Sequence, residues 1–259
     1  MYEISIITIN FNNIGGLIKT IESVLFQSYN CFEYIVIDGA STDGSAEYII
    51  KNANKFNYFV SEPDQGIYNA MNKGIRASTG KYLLFLNSGD YFFDKNVLKN
   101  AVNHLGNYDL VYFDLFFSRN NKLALKSYPE KLSFCELSSN SLPHPATFIK
   151  KTLFDLNGHY DESFKVVSDW KFFIEVICLH NCTYKKVAQA LSVFNTDGTS
   201  SIPQNRSLIY NEMQTVLINK FSAFIGDLEE FKILRNTIAA LRKSRKIQLL
   251  IKLNQLNPF

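Results

Sequence analysis

No apolar run in this 259-residue chain approaches the roughly 20 residues an α-helix needs to cross a bilayer. Its start, Met1-Tyr2-Glu3-Ile4-Ser5-Ile6, carries neither a basic leader nor a small-residue cleavage site, so no secretory signal is expected. Cysteine is sparse: Cys31, Cys135, Cys178 and Cys182 are scattered, and the one close pair has no second pair to complete a zinc site. That usage fits reduced thiols in a cytoplasm. Repeats and low-complexity tracts are missing. So are a Walker phosphate loop and a Gly-x-Gly-x-x-Gly, which weakens ATP and dinucleotide readings.

What is present belongs to a globular chain: 46% hydrophobic and 20% charged residues, with a net charge of +3. The charge is unevenly placed. Lys232, Arg235, Arg242, Lys243, Arg245, Lys246 and Lys252 crowd residues 231–259 without one acid, leaving 20 basic against 24 acidic groups elsewhere.

Ile4 to Ile9 and Tyr34 to Ile37 are β-branched runs of buried parallel-strand type, and the stretch between them, Gly16 to Gln27, has helical spacing. Further strands are expected at Tyr58 to Val60, Tyr82 to Leu86 and Leu110 to Phe117, with helices at Ile67 to Ala77 and Val97 to Leu105. A looser stretch, 118–142, leads to a second lobe with Thr147 to Phe154 and a helix over Asp169 to Leu179. Alternation of this kind predicts an α/β fold, an open and mostly parallel sheet flanked by helices, with ligands at the carboxyl ends of its strands. Thr8, Asn10, Asp38, Asp64 and Asp90 fall at or just beyond such ends. In the turn Asp38-Gly39-Ala40-Ser41-Thr42-Asp43-Gly44-Ser45, small residues let backbone amides approach a ligand, Asp38 is placed to accept from a base or ribose, and Ser41 or Asp43 is suited to cap the next helix.

These residues carry a resemblance. Ile6-Ile7-Thr8-Ile9-Asn10-Phe11-Asn12, the Asp38 to Ser45 turn, the segment from Glu62-Pro63-Asp64-Gln65-Gly66 to Met71-Asn72-Lys73-Gly74, and Asn87-Ser88-Gly89-Asp90 resemble the successive nucleotide-sugar motifs of inverting family 2 glycosyltransferases, over Ile4 to about Ser201. The resemblance implies a GT-A fold: a catalytic domain at 1–205, divided into a nucleotide-sugar-binding half (1–117) and an acceptor-side half (118–205), then a C-terminal helical extension at 206–259. It also implies sugar transfer from a nucleoside diphosphate donor, a UDP-sugar by analogy, to a hydroxyl, with Mg²⁺ or Mn²⁺. In that pattern Asp38 and Asp64 contact the nucleoside, Thr8 and Asn10 line its pocket with Asn72 and Lys73 in the same donor motif, and Asp90 is the metal-side carboxylate. Most members present two or three acids where this chain has Asn-Ser-Gly-Asp; one carboxylate with phosphates and waters is enough to hold magnesium.

In the second lobe, Asp169 of Val166-Val167-Ser168-Asp169-Trp170 resembles the family's catalytic base, with Asp161 and Glu162 as rivals and a helix-dipole role as the bland alternative. His144 is placed to touch diphosphate or acceptor, Trp170 to stack on an acceptor sugar or pack in the core, and Asn195 to Ser201 to close over the donor. The tail's basic and apolar pattern suits an anionic membrane surface, a helix packed on the body or a homodimer contact, and not nucleic acid. The expected role is bacterial cell-surface polysaccharide or lipid-linked glycan synthesis, in the cytoplasm or peripheral on the inner face of the membrane. The alternatives are a nucleotide-sugar binding module without catalysis and a nucleotidyltransferase.

Overall fold

The computed structural model describes residues 2–119, 122–196, 198 and 202–258. The chain forms two compact units, Met1–Glu212 and Met213–Phe259. In the first, β1 (Ile4–Asn10) is buried along its whole length and pairs in parallel with β2 (Phe32–Asp38) on one side and β4 (Tyr82–Phe85) on the other; β3 (Tyr58–Ser61) extends the sheet in parallel beyond β2. Between β1 and β2 runs α1 (Ile14–Leu25), whose first turn is capped by Asn13 Oδ1 accepting from Gly16 N at 3.0 Å. After α2 (Ser45–Lys51), α3 (Ile67–Ala77) joins β3 to β4.

Beyond β4 the sheet turns antiparallel. β8 (Thr147–Lys150) lies between β4 and β6 (Leu110–Arg119), antiparallel to both; β9 (Tyr184–Asn195) runs parallel to β6, and β5 (Tyr91–Phe92) closes the order β3-β2-β1-β4-β8-β6-β9-β5. β7 (Lys122–Lys126) pairs with β6. This is a mixed α/β sheet of the expected type, parallel in its first half.

Strand alternation builds two cores. Ile4 and Ile6 face α1, against Leu17, Ile21 and Val24. Ile7 and Ile9 face the other way, into a layer with Met71 and Ile75 of α3 and Phe172 and Phe173 of α7 (Ser168–Cys178). Tyr68 and Asp169 thereby arise from helices on the same side of the sheet.

Several expected elements differ in detail. The helix expected over Val97 to Leu105 is α4 (Val97–Ala101) followed by a 3-10 turn, and Thr147 to Phe154 divides into β8 and α6 (Lys151–Asn157). The looser stretch holds β7 and α5 (Phe134–Leu137), and the long β9 stands where no strand was expected. All four cysteines are free thiols.

α8 (Arg206–Lys243) starts in the first unit, where Glu212 ties it down: its carboxylate accepts from the backbone N–H groups of Lys165, Val166 and Val167 at 2.7, 3.0 and 3.2 Å. Farther along, in the second unit, Phe221 has non-helical backbone angles and kinks α8, and α9 (Arg245–Lys252) follows Ser244. No helix among the described residues is long and apolar enough to cross a membrane.

Candidate functional site

Register brings three polar residues to the carboxyl ends of neighbouring strands: Asn10 pairs with Asp38, and Asp38 with Ser61. There Asp38 is fully buried and accepts four hydrogen bonds, from Asn10 Nδ2 (2.7 Å), Ser41 Oγ (2.6 Å), Ser41 N (3.0 Å) and Ser61 Oγ (2.6 Å). Burial works against its charge, but the bonds from Ser41, Ser61 and Asn10 outweigh burial and hold the carboxyl below its usual value. Four acceptor sites are thus filled from within the protein. Asp38 is not among the residues that line the cleft at this edge; it holds Asn10, which is. With its amide nitrogen spent on Asp38 and Ser41, Asn10 is left with a buried side-chain oxygen that has no partner.

A cleft of about 550 Å³ opens at this edge, lined among others by Asn10, Phe11, Gly39, Asp64, Asn87, Asp90, His144, Lys165 and Asp169. Phe11 stands 68% exposed at the wall. Gly39 lets the wall close up: a Cβ there would lie 3.0 Å from Asp64 Oδ2 and 3.1 Å from the Phe11 ring, so both side chains would have to give way. Asp64 is steadied by Lys73 Nζ at 2.6 Å, which also meets Glu62 at 2.8 Å. Burial opposes the Lys73 charge, and its bonds to Asp64 and Glu62 raise its pKa overall. Lys73 is therefore a buttress behind Asp64 and does not itself line the cleft.

On the β4 side, Gly89 has φ +105, a backbone conformation that frees the turn Asn87-Ser88-Gly89 to deliver Asp90 to the cleft. Asp90 is 6% exposed, and its Oδ1 accepts from Asn195 N at 2.9 Å. Burial pushes its pKa up to about 7, against the pull of that single bond. A buried carboxylate so poorly compensated suits a cation, and its oxygens, with the unpartnered Asn87 side-chain oxygen on the same wall, suit a hard one. Among the described residues no group of three or more His, Cys, Asp or Glu is arranged to hold a metal, so phosphate oxygens and waters would complete any such shell.

From the second lobe Asp169, in the first turn of α7, lines the same cleft, and Tyr68 donates its hydroxyl to Asp169 Oδ1 at 2.8 Å. The two rivals are engaged elsewhere. Asp161 accepts from Ser163 and meets Lys171 at 3.6 Å, and Glu162 accepts from Asn69 and Asn72 at 2.8 and 2.7 Å. His144 is stacked on Phe85, centroids 4.8 Å apart, and its Nε2 shares a 2.9 Å hydrogen bond with the Tyr160 hydroxyl. Burial lowers the His144 pKa, against an opposing pull from Asp169.

Besides Asp38 and Lys73, three more expected site residues lie away from the cleft. Thr8 is fully buried, donating to Leu86 O at 2.8 Å and bonded to Tyr34 at 3.1 Å, so it joins strands instead of lining a pocket. Asn72 is 2% exposed and donates to Tyr160 O, which secures α3 to the segment before α7. Trp170 is 3% exposed, its indole N–H donating to Leu137 O at 2.6 Å, so it offers no ring face to a sugar. In the late loop, Asp197, Thr199, Ser200 and Ser201 lie outside the described residues; Asn195 and Gly198 line the cleft. Sequence reasoning missed Phe11, Tyr68 and Lys165 as wall residues. An aromatic directly after a strand end was the available signal for Phe11; nothing in spacing marks Lys165.

Residues 5–166 match the family described as Glycosyl transferase family 2. An uncharacterized glycosyltransferase of Mycobacterium tuberculosis is 34% identical over 203 residues, covering 76% of this chain and 77% of that protein. A PGL/p-HBAD biosynthesis glycosyltransferase of Mycobacterium bovis is 30% identical over 188 residues, 70% of each. Among solved structures, S. aureus TarS 1-349 in complex with UDP-GlcNAc superposes with a TM-score of 0.65 at 18% identity, covering 85% of this chain and 67% of that one. A mannosyltransferase from Pyrobaculum calidifontis in complex with GDP-Man and Mn²⁺ gives 0.59 at 13%, covering 96% and 83%. Family match, level of identity and fold agree: this chain belongs to glycosyl transferase family 2 and is a glycosyltransferase.

Proposed function

We propose that the chain moves a sugar from a nucleoside diphosphate donor, a UDP-sugar by analogy, to a hydroxyl acceptor with inversion at C1, in bacterial cell-surface polysaccharide or lipid-linked glycan synthesis. One observation carries this reading: a single cleft is lined by Asn10, Phe11, Gly39 and Asp64 at the strand ends, a buried and poorly compensated carboxylate (Asp90), and a second-lobe carboxylate (Asp169). Phe11 offers an aromatic face to the base, and the Asn10 side-chain oxygen, buried without a partner, offers an acceptor to it. Asp64, held by Lys73, accepts from the nucleoside. Asp90, with Asn87 beside it, would hold Mg²⁺ or Mn²⁺. Such an ion, when bound, neutralises charge on the departing diphosphate. Asp169 takes the acceptor proton as the acceptor oxygen bonds to C1 and the C1–phosphate oxygen bond breaks, its electron pair leaving with the nucleoside diphosphate.

Residues 231–259 are assigned to the anionic inner face of a membrane, which places the enzyme in the cytoplasm and on that surface. The seven basic groups without an acid support this, as do the exposed Leu249, Leu250 and Leu253 at α9. The acid-free run makes a homodimer through this segment the less favoured occupant, because like charges would face each other.

The test is a thermal-shift series with UDP-GlcNAc, GDP-mannose and other nucleotide sugars, with and without Mn²⁺, followed by product stereochemistry for any donor that binds. A metal-dependent rise in melting temperature and an inverted product are expected. No stabilisation by any donor, or retention at C1, would overturn the reading, and release of pyrophosphate would identify a nucleotidyltransferase.

A further inference from the structure

Asp169 does not sit in the cleft unsupported. Tyr68 of α3 reaches across to it from 101 residues away, its hydroxyl 2.8 Å from Oδ1, and no other side chain hydrogen-bonds the carboxylate among the described residues. The ring is 3% exposed, packed against Tyr160 with centroids 5.7 Å apart, and Tyr160 in turn is held by His144. The phenol therefore has little freedom to leave the bond. Burial and the neighbouring Asp169 charge both keep Tyr68 protonated, so it can act only as a donor toward that carboxylate.

We infer that Tyr68 is a positioning residue for the general base: it occupies Asp169 Oδ1 and leaves Oδ2 as the oxygen that receives the acceptor proton. This inference rests on the proposed role of Asp169. Its physical content is directional. A carboxylate at the start of a helix can rotate about its Cβ–Cγ bond and offer either oxygen, and attack on C1 demands a proton acceptor fixed to within a fraction of an ångström of the hydroxyl. One hydrogen bond from a rigid, buried ring removes that rotation. The same bond crosses from α3, which follows Asp64 and Gly66 in the chain, to α7 of the second lobe, so the element beginning at the donor slot also sets the angle of the base.

The experiment is a double-mutant cycle with single-turnover transfer as readout. Tyr68→Phe keeps the ring and deletes only the donor; transfer should fall roughly 10- to 100-fold, while the affinity for UDP with Mn²⁺, measured by calorimetry, stays within about 2-fold of the parent. In the Asp169→Asn background, adding Tyr68→Phe should change residual transfer by less than about 2-fold, because a residue acting through Asp169 has nothing left to position. A residue needed only for packing would slow both backgrounds alike, and that outcome would overturn the inference. So would parental transfer by Tyr68→Phe when Asp169→Asn is inactive. If Asp169→Asn itself transfers at the parental rate, the base assignment falls and this inference with it. Should Tyr68→Phe not fold, tyrosine labelled with ¹³C at Cζ reports the bond directly: one resonance should move between the parent and Asp169→Asn, and an unmoved spectrum would refute the contact.

Discussion

Replacing Asp90 with Asn should stabilise the metal-free protein at mildly alkaline pH while abolishing metal-dependent transfer. Asp90 is 6% exposed and its pKa is raised from 3.8 to about 7, because burial outweighs the one hydrogen bond from Asn195 N. Between those two values the folded chain keeps a proton that the unfolded chain has released. The native state then binds more protons, so stability falls as pH rises through this window and levels off above the folded value. At 1.36 kcal/mol per unit the deficit reaches on the order of 4 kcal/mol near pH 8, before any relaxation of the loop. Asn cannot ionise, and its amide oxygen can still accept the Asn195 N–H that Oδ1 accepts at 2.9 Å. The mutant should match the parent at about pH 4 and exceed it by about 2–4 kcal/mol near pH 8 in the presence of chelator. Urea melts across that range measure the difference, in which the other carboxylates cancel. Adding Mn²⁺ should raise the parent's midpoint and leave the mutant's unchanged, since only the parent gains a bound state. Parallel pH curves for the two proteins would refute the claim that Asp90 is a buried charge held at a cost to stability.

Four further outcomes follow from the same geometry. Gly39→Ala places a Cβ 3.0 Å from Asp64 Oδ2 and 3.1 Å from Phe11, so donor affinity should fall about 10-fold or more with little change in the melting temperature; titration with UDP and Mn²⁺ checks it. Trp170→Phe leaves Leu137 O without its indole donor and should cost about 1–3 kcal/mol in urea melts, with the acceptor KM unchanged; an altered KM would restore Trp170 to the acceptor site. Glu212→Ala frees the three backbone donors at Lys165, Val166 and Val167, and should lower transfer more than donor affinity, because those residues lead into the helix that carries Asp169. Deleting residues 231–259 should reduce co-sedimentation with anionic vesicles at low salt, where surface charge is least screened, and leave donor hydrolysis intact; equal pelleting would reject the membrane assignment.

The centre of the parallel half was legible because β1 and β2 are buried on both faces and read as Ile- and Val-rich runs, and because the motif residues sit where those runs stop. α3 was expected at about Ile67 to Ala77 and spans Ile67–Ala77. β9 was not: Tyr184–Asn195 carries Lys185, Lys186, Ala188, Gln189 and Ala190 amid its apolar positions, and its pairing with β6 is broken by a register shift around Asp114 that local patterning cannot show. Lys186 looks like a surface residue in sequence, yet its ammonium is buried 2.6 Å from Asp114, a partner 72 positions away.

Site residues divided along the same line. Position relative to a strand end identifies which residues arrive at the cleft's edge, but whether an arriving side chain faces the ligand or the protein depends on who else is there. Asp38 and Asp64 are acids at or just past strand ends, and only hydrogen-bond accounting separates them: two serines and an asparagine from three segments saturate Asp38, while Asp64 is gripped by one lysine and remains on the wall. Thr8 and Asn10 are two apart and so share a face of β1, yet Thr8 is sealed beneath Leu86 while Asn10, at the strand's last position, opens into the cleft. A carboxylate saturated by its own fold supports the site, and one left short of partners, as Asp90 is, can bind within it.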